Sequence, residues 1–105
     1  MSDKKPDWSI TSIELKPLLG SVVLVDVREQ EEYDESHIEG CKLIPLGEIQ
    51  ARASELNPGD FIVLYCAHGI RSLQALMVLK MLGFKNLRSL EGGIADWEEF
   101  INRTH

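Results

Sequence analysis

The residues best able to do chemistry lie together in one short run, Cys66-Ala67-His68-Gly69-Ile70-Arg71, followed by Ser72. A cysteine is a nucleophile only as its thiolate, so the question is what would hold Cys66 ionised. The run joins the apolar stretch Phe61-Ile62-Val63-Leu64-Tyr65 to a second apolar stretch beginning at Leu73. At such a strand-to-helix turn, successive backbone N–H groups can converge on an anion. Gly69 permits the positive φ that a tight cradle requires, and Arg71 places a fixed positive charge at the rim. All three favour the sulfur anion and point to a nucleophilic Cys66 with a lowered pKa. The competing reading is packing alone, because a cysteine ending a core strand is also a common small hydrophobe.

The elements that must position this loop are visible on either side of it. Val22-Val23-Leu24-Val25-Asp26-Val27 is a β-branched run of the kind buried on both faces of a parallel sheet, and residues 61–65 have the same pattern. Shorter strands are expected over Trp8–Ile10, Lys42–Ile44 and Leu87–Leu90. Thr11 and Glu14 have the spacing of a capping box, opening a helix that Pro17 keeps short and Gly20 ends. Further helices are expected over Glu29–Glu35, Gly47–Leu56, Ser72–Leu82 and Ile94–Arg103. The helix from Ser72 is apolar almost all round, which predicts burial on several sides with Met77 and Met81 as core filler. Strands alternating with helices predict an α/β fold, a mostly parallel sheet with helices on both faces. Ligands in such folds collect beyond the carboxyl ends of central strands, where Cys66 stands.

With 105 residues the chain fits one domain over 1–105, its core running from about residue 8 to 103. Met1-Ser2-Asp3-Lys4-Lys5-Pro6 is polar and has no signal-peptide core, and no apolar run is long enough to span a bilayer, so a cytoplasmic location is expected. Cys41 and Cys66 form no C-x-x-C pair and are expected as free thiols. Together with His37, His68 and His105 they lack the spacing of a zinc site, and neither metal nor cofactor is expected. A net charge of −6 argues against nucleic-acid and anionic-membrane partners. The acids cluster at Glu29, Glu31, Glu32, Asp34, Glu35 and Glu39, which is either a solvated face or a surface for a partner protein. No acid falls between Asp60 and Glu91, where Arg71, Lys80, Lys85 and Arg88 lie.

Taken in order, the motifs resemble those of the rhodanese family. Asp26-Val27-Arg28 with Glu32-Tyr33 is similar to the family's first signature, and His37-Ile38-Glu39-Gly40 with Ile44-Pro45 to its second. Cys66, Gly69, Arg71 and Ser72 match its active-site loop, Gly83-Phe84 the stretch after the following helix, and Leu90-Glu91-Gly92-Gly93 with Trp97 its closing motif. Four residues separate Cys66 from Arg71, the smaller, sulfur-type ring rather than the wider one of phosphatase and arsenate-reductase relatives.

The resemblance implies a three-layer fold with a five-stranded sheet and a sulfurtransferase working through a Cys66 persulfide. Thiosulfate or a persulfide would donate the sulfur, and a thiol, cyanide or a protein would accept it. The backbone of Ala67, His68, Gly69, Ile70 and Ser72 would hold the persulfide, with Arg71 beside it. Asp26 and Arg28 would brace the loop from the neighbouring strand, and Gly92 and Gly93 would let a second loop approach closely. A sulfur-carrier or relay domain and a non-catalytic binding module are the alternatives. Ala67 stands at a loop position that is often basic, which weakens the case for thiosulfate itself. His68 either adds charge at mildly acidic pH or merely lines the mouth. Cys41, where the family usually has alanine, and Leu43, where asparagine is common, also depart from the pattern. Cys41 is expected to pack rather than act as a resolving thiol, His37 to bond backbone at a turn, and Trp97 to be core.

Overall fold

A strand covered on both faces must be apolar at nearly every position, and the central strand here meets that demand throughout. A computed structural model of the chain describes residues 7–103; the polar start, Met1 to Pro6, and His105 lie outside the described residues. Five strands, β1 (Ser9–Ile10), β2 (Val23–Asp26), β3 (Lys42–Leu43), β4 (Ile62–Tyr65) and β5 (Leu87–Leu90), form one sheet in the order β1-β5-β4-β2-β3, with every pairing parallel. All four residues of β4 are buried. The chain leaves β2 for β3 on one side and returns to β4 on the other, so the direction of winding reverses between β2 and β4. Asp26 and Tyr65 end these two strands in register, and Cys66 follows at once.

The helices are α1 (Ser12–Leu15), α2 (Gln30–Glu35), α3 (Ile70–Met81) and α4 (Gly93–Arg103). One face of the sheet carries a core in which Val25, Ile62 and Leu64 meet Ala75, Leu76 and Leu79 of α3, and Cys66 belongs to it. The other carries Leu24, Val63 and Tyr65 against Leu15 of α1 and Ile94 and Trp97 of α4, with Cys41 packed at its edge. The expected α/β layering is present, and the two cysteines lie on opposite faces. The capping box also forms: Thr11 Oγ1 accepts from Glu14 N at 3.2 Å and Glu14 Oε1 from Thr11 N at 2.9 Å. Pro17 then sits in a 3-10 turn over Lys16–Leu18.

Two expectations need correction. Residues 47–56 are not an α-helix but hold two 3-10 turns, Leu46–Glu48 and Ala53–Glu55. Side chains three apart eclipse in a 3-10 turn, so each turn directs one apolar pair inward, Leu46 with Ile49 and Ala53 with Leu56. That three-four-three spacing mimics a helix in the sequence. The second correction concerns α3, which is not buried all round. Only Ser72, Ala75, Leu76 and Leu79 are buried, while Met77 and Met81 are 54% and 87% exposed and are not core filler.

This asymmetry is testable by urea unfolding. Leu79→Ala should cost about 2–5 kcal/mol, as for a fully buried leucine, whereas Met81→Ala should change stability by no more than about 0.5 kcal/mol. Similar losses for the two variants would contradict the placement of α3.

Candidate active site

The loop from Cys66 to Gly69 is held by the unpaired ends of two helices. The first backbone N–H groups of a helix have no partner within it. At the start of α4, Ile94 N donates to the Cys66 carbonyl at 2.9 Å and Ala95 N to the Ala67 carbonyl at 3.2 Å. With these carbonyls drawn to α4, the N–H groups that follow face the sulfur. Gly69 N donates to Cys66 Sγ at 3.1 Å and Ser72 N at 3.3 Å. Gly69 has φ +105°, the left-handed region open to glycine, and caps α3. That cap starts the helix at Ile70, two residues earlier than expected, and brings the Ser72 N–H within reach of the sulfur.

Side chains complete the ring. Ser72 Oγ lies 3.5 Å from Sγ, accepting from the thiol and placed to donate to the thiolate. It is in turn 2.8 Å from Ser89 Oγ on β5. Burial pushes the Cys66 thiol up, but the Ser72 hydroxyl and the Ser72, Gly69 and His68 backbone more than offset it, and the pKa is lowered. Cys66 is 1% exposed, so its sulfur forms the floor of the cradle. Cys41 behaves oppositely: burial raises its pKa, and its Sγ lies 3.3 Å from the Tyr65 hydroxyl.

Arg71 does not point a free charge at the sulfur. Its Nη1 and Nη2 pair with Glu32 Oε1 and Oε2 at 2.8 and 2.9 Å. Glu32 also accepts from Glu29 N at 2.9 Å, and it is Arg71 above all that holds its carboxyl down at about 2. The acidic cluster is therefore partly structural, with Glu29 and Glu32 occupied in capping α2 and holding Arg71.

Asp26 and Arg28 form a buried pair, Arg28 Nη2 to Asp26 Oδ2 at 2.8 Å, and Arg28 also donates to the Ser36 carbonyl at 2.7 Å and lies over the Tyr65 ring. The pair thus fixes the end of β2, the exit of α2 and the residue before Cys66, a brace one step removed from the loop. Gly93 stands against the loop itself: a Cβ there would collide with the Cys66 and Ala67 carbonyls, and one on Gly92 would come 2.6 Å from Asp96 Cβ. His68 and Ile70 are exposed at the mouth, Ala67 and Gly69 less so. His37 Nδ1 lies 2.9 Å from the Tyr33 carbonyl with its ring stacked on Tyr33, and Trp97 is core.

Ser89 and the paired role of Glu32 escape a sequence reading. Ser89 had one signal, a small polar residue at a buried position of a strand. Glu32 lies 39 positions from Arg71, with only the loop's basic residue to suggest a partner.

Comparison with known proteins accords with this geometry. The family described as Rhodanese-like domain matches residues 11–100. The putative sulfur carrier protein YrkF of Bacillus subtilis is 46% identical over 73% of this chain, which spans 42% of that protein. The thiosulfate sulfurtransferase GlpE of Coxiella burnetii is 32% identical over 73% of this chain and 72% of its own length. Among solved structures, a rhodanese-related protein of Thermoplasma volcanium superposes with a TM-score of 0.82 at 33% identity, covering 88% of this chain and 91% of that one.

The hydroxyl relay to the sulfur can be tested by following the rate of iodoacetamide alkylation of Cys66 against pH. Ser72→Ala should move the profile to higher pH, because the thiolate loses a donor while the thiol loses only an acceptor. Ser89→Ala should move it less in the same direction. Coincident profiles for the wild type and Ser72→Ala would contradict the assignment.

Proposed function

The chain belongs to the rhodanese-like domain family, and from that premise we propose that it moves sulfane sulfur from thiosulfate or a persulfide to a thiophilic acceptor through a persulfide on Cys66. The observation that carries this reading is the ring on Sγ: the N–H groups of Gly69 and Ser72 with the Ser72 hydroxyl behind them. In the first half-reaction the thiolate attacks the outer sulfur of the donor. A new S–S bond forms, and the donor's own bond to that sulfur breaks, its electron pair leaving with sulfite when thiosulfate is the donor. The persulfide anion is then stabilised by inward N–H groups, as an oxyanion is. The early N–H groups of α3 at Ile70 and Arg71 have no partner within the helix and remain to meet the outer sulfur. In the second half-reaction an acceptor thiolate or cyanide takes the outer sulfur and Cys66 leaves as thiolate, a ping-pong cycle without net oxidation.

A carrier role, in which a partner protein loads Cys66, is supported by a specific feature. Glu32 already neutralises Arg71 and Ala67 adds no charge, so the loop offers the thiosulfate dianion no unpaired arginine. The exposed remainder of the acidic cluster, Glu31, Asp34, Glu35 and Glu39, is one candidate contact for such a partner. A single domain over 1–105 in a reducing, cytoplasmic setting completes the proposal.

Intact mass after incubation with each donor tests the chemistry. The wild type should gain one sulfur atom and Cys66→Ser none; no gain with any donor would leave a binding module. The donor preference is tested by loading kinetics. Arg71→Ala should slow thiosulfate loading more than persulfide loading, whereas Glu32→Gln, which frees Arg71, should speed thiosulfate loading. Unchanged thiosulfate kinetics in both variants would remove Arg71 from the reaction.

A further inference from the structure

A helix lying on a core normally turns polar residues to water. On α3 the outward face is apolar as well. The core stripe is Ser72, Ala75, Leu76 and Leu79. At about 100° per residue, the opposite face runs through Ile70, Gln74, Met77 and Met81. Ile70, Met77 and Met81 are 72%, 54% and 87% exposed, and Leu82, just past the helix, is exposed as well. Gln74 alone on this face is polar. Exposed methionines suit a surface that adapts to a partner.

Both ends of the strip say what should cover it. The first residue, Ile70, directly follows Gly69, which donates to Cys66 Sγ, and is itself exposed, so whatever lies along the strip is at the mouth of the site. Lys80, the residue before the last methionine of the strip, lines a cleft of about 390 Å³ in which Trp8 and Phe84 lie with Lys85 and Arg88, and among the described residues Asp7 is its one carboxylate. No acid occurs from residue 61 to residue 90. We propose that the solvent face of α3 docks a protein that exchanges sulfur with Cys66, and that this partner presents an apolar ridge flanked by carboxylates. The proposal rests on the persulfide reading of Cys66 and adds the partner's chemistry and its place of contact. A second copy fits the face poorly, because a two-fold contact pairs the face with itself, and α3 carries no carboxylate to meet Lys80 or the basic residues beyond it. The net charge of −6 opposes an anionic membrane. The acidic face of α2 is the weaker candidate, since Glu29 and Glu32 already have structural partners.

The test uses two synthetic amphipathic helical peptides with the same leucine face and a terminal cysteine, one flanked by glutamate and one by lysine. Sulfur transfer from the persulfide form of the full chain to each peptide is followed by mass, with cyanide as the small acceptor. The glutamate peptide should accept sulfur about tenfold faster than the lysine peptide, the scale of one good interface contact. Met77→Glu/Met81→Glu should abolish that advantage and leave transfer to cyanide unchanged. Equal rates for the two peptides, or an advantage that survives the double substitution, would overturn the proposal. So would a wild-type dimer, or binding to phosphatidylserine vesicles, that the substitutions abolish. If Cys66 does not load at all, the persulfide reading fails on its own, and tryptophan fluorescence titration with a cysteine-to-serine glutamate peptide still reads the surface. Binding weakened by the double substitution supports the docking face, and no binding to the wild type overturns it.

Discussion

Two hydrogen bonds from the first turn of α4, Ile94 N to the Cys66 carbonyl and Ala95 N to the Ala67 carbonyl, decide which way the loop faces. Had these carbonyls turned inward, their oxygens would repel a thiolate. Drawn outward, they leave N–H groups to converge on Sγ. The contact requires α4 to start against the loop, and that requires Gly93, where any Cβ would strike the same carbonyls. The approach is secured from behind by Ser9 Oγ donating to Glu91 and Ser12 Oγ to Asp96, each at 2.7 Å. The residues of the closing motif therefore act on the chemistry through the backbone of the loop, without touching the sulfur.

The electrostatics follow from the same economy. Each helix N-terminus has unpaired N–H groups, and here those of α4 hold carbonyls while one of α3 holds the sulfur. The negative charge is met by dipoles fixed in place before any substrate arrives, which need no reorganisation at the moment of reaction. The guanidinium of Arg71, the formal charge closest to the loop in sequence, is committed to Glu32. A cradle built chiefly from dipoles stabilises a single sulfur anion. It gives a bulky dianion less reason to enter than a free guanidinium would.

The strands and the loop were legible in the sequence because their signals are local. A β-branched run such as residues 22–27 can hardly be other than a buried strand, and Gly69 next to Cys66 announces a turn. The segment over 47–56 was not legible, because apolar residues spaced three, four and three apart satisfy both an α-helix and two successive 3-10 turns. Burial of α3 was overestimated for a different reason. Composition counts apolar residues but does not record that only one stripe meets the core, and Met77 and Met81 are apolar yet exposed. The Glu32–Arg71 pair and the Ser72–Ser89 contact join residues far apart in the chain, and nothing local could have assigned them.

The chemistry of the site rests on surroundings that favour the Cys66 thiolate and lower its pKa. Thiolate ultraviolet absorbance, titrated in the wild type and in Cys66→Ser so that the difference isolates one residue, measures this directly. The account predicts a Cys66 transition below that of an ordinary thiol, about 8.5, with the remaining Cys41 transition above it. A Cys66 transition at or above that of an ordinary thiol would contradict it.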